Sequence, residues 1–492
     1  MNKPNLVHLV MIAAPFRVGV EDMTRPPSAL LYVGGFLKRH GFEVQVHHIR
    51  EMELEKTVEV IVSGPRPLFV GFSVITGQPV ASSARMSRLI KRAKPDWIIV
   101  WGGIHPSLLP EETLNLGSVD FVVVGEGEHT ALDLAQSLRE GSSNFQGIGG
   151  LAFLESGRPV INPPRPFEKD LDKFQQDWSL VDIKKYIRKE SGRSGFCFIT
   201  SRGCPHNCGF CYNQKFNHRR WRAHSLDFVI RELLNIKKET GISFVTFDDD
   251  NFFSNPKRGL EILRRLREQG LECDWLELRV DYITEDFIRR LVELGVKNIF
   301  VGWESGSDHT LGQISKGFNR GLILEKTKIL AKFPKLVIDA SAIVGFPWES
   351  EPEIQKTITC ALEMFRLKPF RLNFNLGLYV PYPGSPIVGE ALTRGFRFPA
   401  EPEGWRSFDI LSGAMKLPWL SQDKVRKYTL VDNYAKLLYV RPGIGFWRGI
   451  IKYSMALAAF LRLKTGFLAW PWEAWLVNRR LSRLLRKALV QS

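Results

Sequence analysis

Two stretches of this chain alternate short apolar runs with amphipathic segments of helical period, and this repetition restricts the fold more than any other feature. In the first stretch the runs are residues 6–12, 42–49, 68–75, 97–101 and 121–124, with helix-like segments such as 29–40 and 80–93 between them. Strands that are apolar on both faces need cover on both faces, which amphipathic helices provide over a parallel sheet. Residues 1–145 are therefore expected to form an α/β, doubly wound (Rossmann-like) domain that binds ligands at the carboxyl ends of its strands. Residues 146–194 are shorter in pattern and rich in turns, and read as a hairpin around Glu155-Ser156-Gly157 followed by a linker. Alternation resumes over residues 195–390 with six runs: 196–200, 244–247, 275–280, 298–302, 336–344 and 371–379. Six such units curl into a partial (β/α)6 barrel of the TIM type, with reactive groups at the carboxyl ends of its strands. Residues 391–492 read as a basic, mainly helical C-terminal region.

Directly after the first of those six runs come Cys204, Cys208 and Cys211, in the stretch CPHNCGFC. Three thiolates at this spacing can hold three irons of a cubane cluster and leave the fourth without a protein ligand. An iron with open coordination can bind a small molecule and pass it an electron, whereas a fully ligated cluster mostly transfers electrons over distance. Zinc is the other reading, with His206 inside the loop or His218 after it as fourth ligand. Cys197, Cys273 and Cys360 stand singly in apolar runs and read as core residues. Six cysteines in 492 residues, with no secretory signal in view, point to a reducing, cytoplasmic setting rather than a disulfide framework.

Three loops at the expected strand ends of the first domain are rich in glycine and small polar residues: SVITG at 73–77, GGIHP at 102–106 and GEGE at 125–128. Small residues let backbone approach a large flat ligand, and each loop precedes a helix whose N-terminus favours anions. By spacing alone these loops indicate a nucleotide-like cofactor. The run Asp248-Asp249-Asp250 closes the second run of the barrel. Consecutive side chains on an extended chain alternate faces, so at most two of these acids can point inward. An acidic turn capping the next helix is the alternative.

The Cys-x3-Cys-x2-Cys spacing, with the aromatic Phe210 before the third cysteine, resembles that of the radical SAM family. The resemblance implies a 4Fe-4S cluster on Cys204, Cys208 and Cys211. It further implies S-adenosylmethionine chelated at the open iron, an external electron donor, and cleavage to a 5'-deoxyadenosyl radical. The stretches PPSALLYVGGFLKRHGFEV, WGGIHPSLLPEETL and GEGE resemble the cobalamin-binding domain of one subgroup. That subgroup contains anaerobic magnesium-protoporphyrin cyclases, hopanoid-modifying enzymes and many C-methyltransferases. NPPRPFEKDLDKF resembles its linker.

This likeness implies cobalamin contacts from Ser73, Thr76, Gly102, Gly103, His105, Gly125, Glu126 and Gly127. The Asp-x-His-x2-Gly motif that gives cobalt a lower-face histidine is missing, so His105 is read as a contact to the corrin periphery, with direct ligation the other option. For S-adenosylmethionine the resemblance implies Phe210, one or more of Asp248, Asp249 and Asp250, then Arg279, Glu304, Ser305 and Gly345. Tyr382, in PYPGSP, is the candidate for contact with substrate, and packing beside two prolines is the competing reading.

The family likeness implies a cobalamin-dependent radical SAM enzyme, foremost a C-methyltransferase for an unactivated carbon. The radical would abstract a substrate hydrogen, the carbon radical would take the methyl of methylcobalamin, and a second S-adenosylmethionine would restore it. Two alternatives stay open: an oxidative cyclase or ring-rearranging enzyme on a tetrapyrrole or lipid, and a non-catalytic cobalamin- and redox-sensing regulator. No helix-turn-helix or nucleotide-cyclase-like output segment is visible for the regulator. The substrate remains open among small molecules, lipids and protein side chains.

Basic residues exceed acidic ones by 16, and from residue 423 onward the chain holds fourteen Lys/Arg against three Asp/Glu. A basic tail on a balanced body implies a local partner surface. Residues 477–490, VNRRLSRLLRKALV, place Leu481, Leu484, Leu485 and Leu489 at helical spacing among arginines, which suits peripheral contact with a membrane or an acidic protein. Packing of those leucines on the barrel is equally open. The tail lacks interleaved stacking platforms, so no nucleic acid partner is expected. The most apolar segment, residues 444–470, is broken by Arg448, Lys452, Arg462 and Lys464, and is no membrane span.

Overall fold

The computed structural model describes residues 4–468 except 18–19, 22, 191, 409–414, 442–445 and 467. The expected helix over 477–490 lies outside the described residues. Two compact units form: the first holds residues up to 271 with 381–388 and 397–415, and the second holds 272–380, 389–396 and 416 onward.

In the first unit, strands β1 (Leu6–Ile12), β2 (Glu43–Ile49), β3 (Phe69–Ser73), β4 (Ile99–Gly102) and β5 (Phe121–Val123) pair in parallel. The sheet order is β2-β1-β3-β4-β5, followed by β6 (Leu151–Glu155) and β7 (Arg158–Ile161). Helices α1 (Ser28–Arg39), α2 (Leu54–Ser63) and α3 (Gln78–Ala93) connect the first four parallel strands, two short helical turns at Ile104–Leu108 and Pro110–Leu114 lead from β4 to β5, and α4 (Glu128–Glu140) leads from β5 to β6. This is the doubly wound topology expected, and its order reverses between β1 and β3, where such sheets open a crevice for ligands. Val7, Leu9, Phe36, Phe69, Val100 and Leu134 are buried in its core. The hairpin turns at Ser156 and Gly157, both with positive φ, and β6 pairs antiparallel with β5. The sheet therefore extends past residue 145.

The connector after the hairpin folds tightly. Asp170, Asp177 and Asp182 each accept a hydrogen bond from the backbone N–H two residues on, capping three successive single-turn helices. It lies against α1, where a Cβ on Gly35 would come within 2.9 Å of the Gln175 carbonyl oxygen. The glycine pair in the α1 sequence is thus a seat for the connector.

The barrel strands begin within the same unit. Strand β8 (Arg193–Phe198) pairs in parallel with β9 (Phe244–Phe247). Helix α5 (Leu226–Thr240) is capped by the Ser225 hydroxyl and ends at the left-handed Gly241, and α6 (Pro256–Glu268) follows β9.

The second unit contains the other four strands, β10 (Trp275–Arg279), β11 (Asn298–Glu304), β12 (Val337–Val344) and β13 (Leu372–Leu378), all parallel in that order. Helices α7 (Glu285–Glu293), α8 (Arg320–Ala331) and α9 (Glu351–Leu367) lie between them, α9 opening on a Ser350/Glu353 capping box. All six strands expected of the barrel are formed. Beyond them come α10 (Gln422–Leu437), fixed to β13 by Asp432 accepting from the Leu376 N–H at 2.9 Å, and α11 (Phe446–Thr465). Among the described residues no helix is long and apolar enough to cross a membrane.

Candidate functional site

The cysteine loop leaves β8 through Thr200, Ser201 and Arg202. Its entry is held by the acids that end β9. Asp249 is buried and accepts from the Thr200 N–H at 2.7 Å, the Thr200 hydroxyl at 2.6 Å and the Ser201 hydroxyl. Burial nevertheless raises its pKa to about 6. Asp250 accepts from the Gly203 N–H at 2.8 Å. Gly203 has φ +84, and a Cβ there would lie 2.0 Å from the Arg220 carbonyl oxygen, so no other residue fits. Asp248 points elsewhere and pairs with Arg25 at 2.9 Å. The three acids thus separate into two that brace the loop and one ion pair.

Cys204, Cys208 and Cys211 are half-buried free thiols. The Asn213 N–H points at the Cys211 sulfur (3.5 Å) and the Asn251 amide at the Cys204 sulfur (3.7 Å). Burial pushes the Cys211 thiol up to about 12 and also raises that of Cys204. Such thiols stay protonated near neutral pH and release their protons when a metal centre takes the sulfur. Three thiols on one short loop, two with N–H donors to sulfur, fit a three-cysteine cluster. Phe210 is half-buried in the loop.

The glycine loops of the doubly wound domain stand at its strand ends as expected. Gly103 has φ +96 and a Cβ there would meet the Val74 carbonyl oxygen at 2.9 Å, so the Gly102-Gly103 turn fits against the loop that carries Ser73 and Thr76. His105 is buried; its Nδ1 lies 3.3 Å from the Thr76 hydroxyl and its ring meets Trp405 edge-on at 4.7 Å. Burial lowers its pKa to about 3, so the imidazole is neutral. Trp405 belongs to a returning segment fastened by Arg88–Glu403 and Arg406–Glu51 ion pairs.

Gly125, φ +85, donates its N–H to the Ser107 hydroxyl at 2.9 Å, and Gly127 follows it at the start of α4. The Glu126 side chain between them is taken up by protein. It accepts from Arg222 at 2.8 and 2.9 Å and from Arg202 at 3.1 Å, while Arg202 also donates to Glu128 at 2.7 Å. Burial opposes the charge of Glu126, but Arg222 and Arg202 overcome it and hold its pKa below the usual range. Arg202 stacks over the Tyr32 ring at 4.5 Å. This buried network ties the GEGE loop to the residue two positions before Cys204.

A second tie comes from the PYPGSP turn, where the Ile387 N–H donates to the Gly209 carbonyl inside the cysteine loop at 3.1 Å. Gly384, φ +77, sits where a Cβ would strike Leu108. Tyr382 packs against Phe408 at 5.9 Å. Between the GEGE loop, the connector and the helix after the cysteines lies a small cleft of about 90 Å³, lined by residues that include Glu126, His129, Arg165, Phe167, Lys215 and His218.

The remaining candidates stand in the second unit. Arg279 pairs with Asp281 at 3.0 Å and donates to the Lys316 carbonyl at 2.9 Å. Glu304 is buried at a register shift with φ +61, and its carboxylate accepts from the buried Lys316 ammonium at 2.7 Å. The Ser305 hydroxyl lies 3.0 Å from that of Thr357. Gly345, φ +81, donates its N–H to Glu349 at 2.7 Å and accepts from the Trp419 indole at 3.0 Å. Burial raises the Glu349 pKa to about 7. Arg202, Arg222, Lys316, Glu349 and Trp405 carry no sequence motif.

A doubly wound domain whose glycine loop is fastened to the three-cysteine loop of a parallel β/α unit defines a class, that of iron–sulfur enzymes built around a second cofactor domain. Residues 20–135 match the B12 binding domain family, and residues 198–361 match the radical SAM superfamily. The chain belongs to the cobalamin-binding radical SAM family, whose cofactors are cobalamin, a [4Fe-4S] cluster and S-adenosylmethionine. It is 29% identical over 429 residues to an uncharacterised methyltransferase of Pyrococcus horikoshii, covering 86% of this chain and 90% of that one. It is 23% identical over 470 residues to the anaerobic magnesium-protoporphyrin IX monomethyl ester cyclase of Rubrivivax gelatinosus, covering 86% and 82%. The fold resembles that of TsrM, a radical S-adenosylmethionine methyltransferase from Kitasatospora setae solved with cobalamin and a [4Fe-4S] cluster. The TM-score is 0.63 at 19% identity, with 80% of this chain and 75% of that one covered.

Proposed function

We propose that this chain is a cobalamin-dependent radical SAM methyltransferase acting on an unactivated carbon. The observation that carries the proposal is the Arg202 network, which fastens the GEGE loop of the B12-binding domain to the entry of the cysteine loop. An enzyme that joins radical formation to methyl delivery must hold its two cofactor loops in fixed register. The likeness to an uncharacterised methyltransferase over nine-tenths of that protein supports the same reading.

Cys204, Cys208 and Cys211 would hold the cluster, and Ser73, Thr76, Gly102, Gly103, Gly125 and Gly127 would contact cobalamin through backbone and small side chains. When bound, the cluster supplies an electron to S-adenosylmethionine and cobalamin supplies the methyl group. The chain's own residues position and shield. Asp249 and Asp250 brace the cysteine loop, and Arg202 and Arg222 occupy the Glu126 carboxylate, so Glu126 acts by anchoring its loop. Thr76 and Trp405 hold a neutral His105 by packing. Phe210, Asp248, Arg279, Glu304, Ser305 and Gly345 are the candidates for S-adenosylmethionine, and Tyr382 for substrate. The electron would come from an external donor.

The likeness to a cyclase over 86% of this chain favours oxidative ring closure as the second reading. Product counting separates the two. Protein reconstituted without oxygen, given S-adenosylmethionine, cobalamin, a reductant and a candidate substrate, should form S-adenosylhomocysteine and 5'-deoxyadenosine in equal amounts if a methyl is transferred. Deoxyadenosine alone, matched to an oxidised product, would replace methyl transfer by cyclisation. Neither product with any substrate would favour a sensor.

A further inference from the structure

Half of the exposed large hydrophobic residues among those described lie on one helix: Ile450, Ile451, Tyr453, Leu457 and Leu461 of α11. Ile450, Leu457 and Leu461 are 47%, 58% and 52% exposed. At 3.6 residues per turn these three project within an arc of about 40°. The opposite face is apolar as well. Ala456, Ala459 and Leu463 are buried, and Phe460 meets Phe365 of α9 at 5.5 Å. A helix on a water-facing surface carries polar residues on its outer side. This one carries leucine and isoleucine there.

The charges on α11 are of one sign; by the same spacing Lys464 borders the stripe, whereas Lys452 and Arg462 lie away from it, Arg462 over the Tyr434 ring at 5.6 Å. Arg448, Lys452, Arg462 and Lys464 are the only charged residues of α11, and from residue 441 to 492 the sequence holds ten Lys/Arg against a single acid, Glu473. Trp470, Trp472 and Trp475 follow the helix closely in sequence. Tryptophan favours the boundary between lipid headgroups and hydrocarbon, and basic side chains are attracted to anionic headgroups.

We propose that the outer face of α11 docks the enzyme on an anionic membrane surface, lying in the interface rather than crossing it. Two other occupants are disfavoured by charge. A second copy placed face to face would bring two basic helices together. Residues 474–492 of the same chain carry five Lys/Arg and no acid, and laying them on α11 would repeat that repulsion. An anionic bilayer answers both the apolar stripe and the cations. This inference is independent of the reaction proposed above.

The test is co-sedimentation of the full chain with phosphatidylglycerol/phosphatidylcholine vesicles and with phosphatidylcholine vesicles. Wild type should bind the anionic vesicles at least about tenfold more strongly, and that advantage should shrink in high salt. The double variant Leu457→Glu/Leu461→Glu, and separately Ile450→Gln, should lower partition, the double variant by about tenfold or more. Both should keep the wild-type melting temperature in lipid-free buffer. Absence of vesicle binding by wild type, or unchanged binding by the double variant, overturns the proposal. Conversion of a wild-type dimer to a monomer by the double variant assigns the face to a second copy. Insolubility or a strongly lowered melting temperature in both variants assigns it to the chain's own interior. Either of these outcomes overturns membrane docking.

Discussion

Carboxylates end barrel strands in both units, but they are satisfied in opposite ways. At the end of β9, Asp249 and Asp250 accept from backbone N–H and hydroxyl groups of the loop that carries the cysteines. At the end of β11, Glu304 faces a buried ammonium, Lys316. Neutral donors fix the path of a loop without supplying a compensating charge, which is why Asp249 is pushed upward to about 6. A paired ammonium keeps a carboxylate charged inside the protein, and removing either partner strands the other. The first arrangement sets geometry; the second stores charge. The Arg202 network stands between them, since it uses buried charge to set the position of a loop.

Removal of the thiols has the largest expected effect. The triple variant Cys204→Ala/Cys208→Ala/Cys211→Ala should lose its cluster absorption and all deoxyadenosine formation while keeping its helix content. Full iron loading would break the assignment of the first region to a cluster. Next come the buried charges. Lys316→Met strands Glu304, and Arg202→Met strands Glu128, so each should destabilise by about 3–5 kcal/mol in denaturant titration. They should differ in function. Surviving Arg202→Met should make deoxyadenosine without matching methylated product, because the cofactor loops lose register, whereas Lys316→Met should depress both products together. Equal ratios in the two variants would erase the distinction drawn here.

Asp249 gives a smaller effect with a defined pH signature. Its folded pKa is raised from 3.8 to about 6, so its protonated form favours the folded state. That contribution is complete below about pH 4, and about 3 kcal/mol of it is lost as pH rises through 6. Asp249→Asn should remove that loss, leaving a flatter change in stability between pH 4 and 6. An unchanged slope would show that the Thr200 and Ser201 donors cancel the effect of burial. His105 gives a pH signature of the opposite sign. Its pKa falls from 6.5 to about 3 on folding, so the neutral ring's contribution is present above pH 6.5 and declines toward pH 3. His105→Phe should blunt that acid sensitivity and leave the paramagnetic resonance spectrum of bound cob(II)alamin without loss of any nitrogen coupling.

The strands, their parallel pairing and the cysteine loop were legible because they rest on local pattern: apolar runs, helical period and a spacing of three thiols. What escaped rests on partners distant in sequence. The partners that hold the Glu126 side chain, Arg202 and Arg222, are 76 and 96 residues away. His105 reads as a loop residue until Trp405 is placed against it. The left-handed backbone of Glu304 has no sequence signal, since nothing distinguishes it from an ordinary strand acid. One clue was available: Arg202 and Arg222 are cations on either side of the cysteine loop, where a buried acid would find them.

The first unit is discontinuous, with residues 381–388 and 397–415 rejoining the segment that ends at 271. Those late arrivals supply the N–H that reaches Gly209, the glycine that clears Leu108, and the indole over His105. Anyone wishing to exchange cofactor modules between relatives therefore has no single cut to make. A cassette ending near residue 271 would arrive with its cysteine loop short of the Ile387 tie and its histidine bare, and the transplantable object is three separate lengths of sequence.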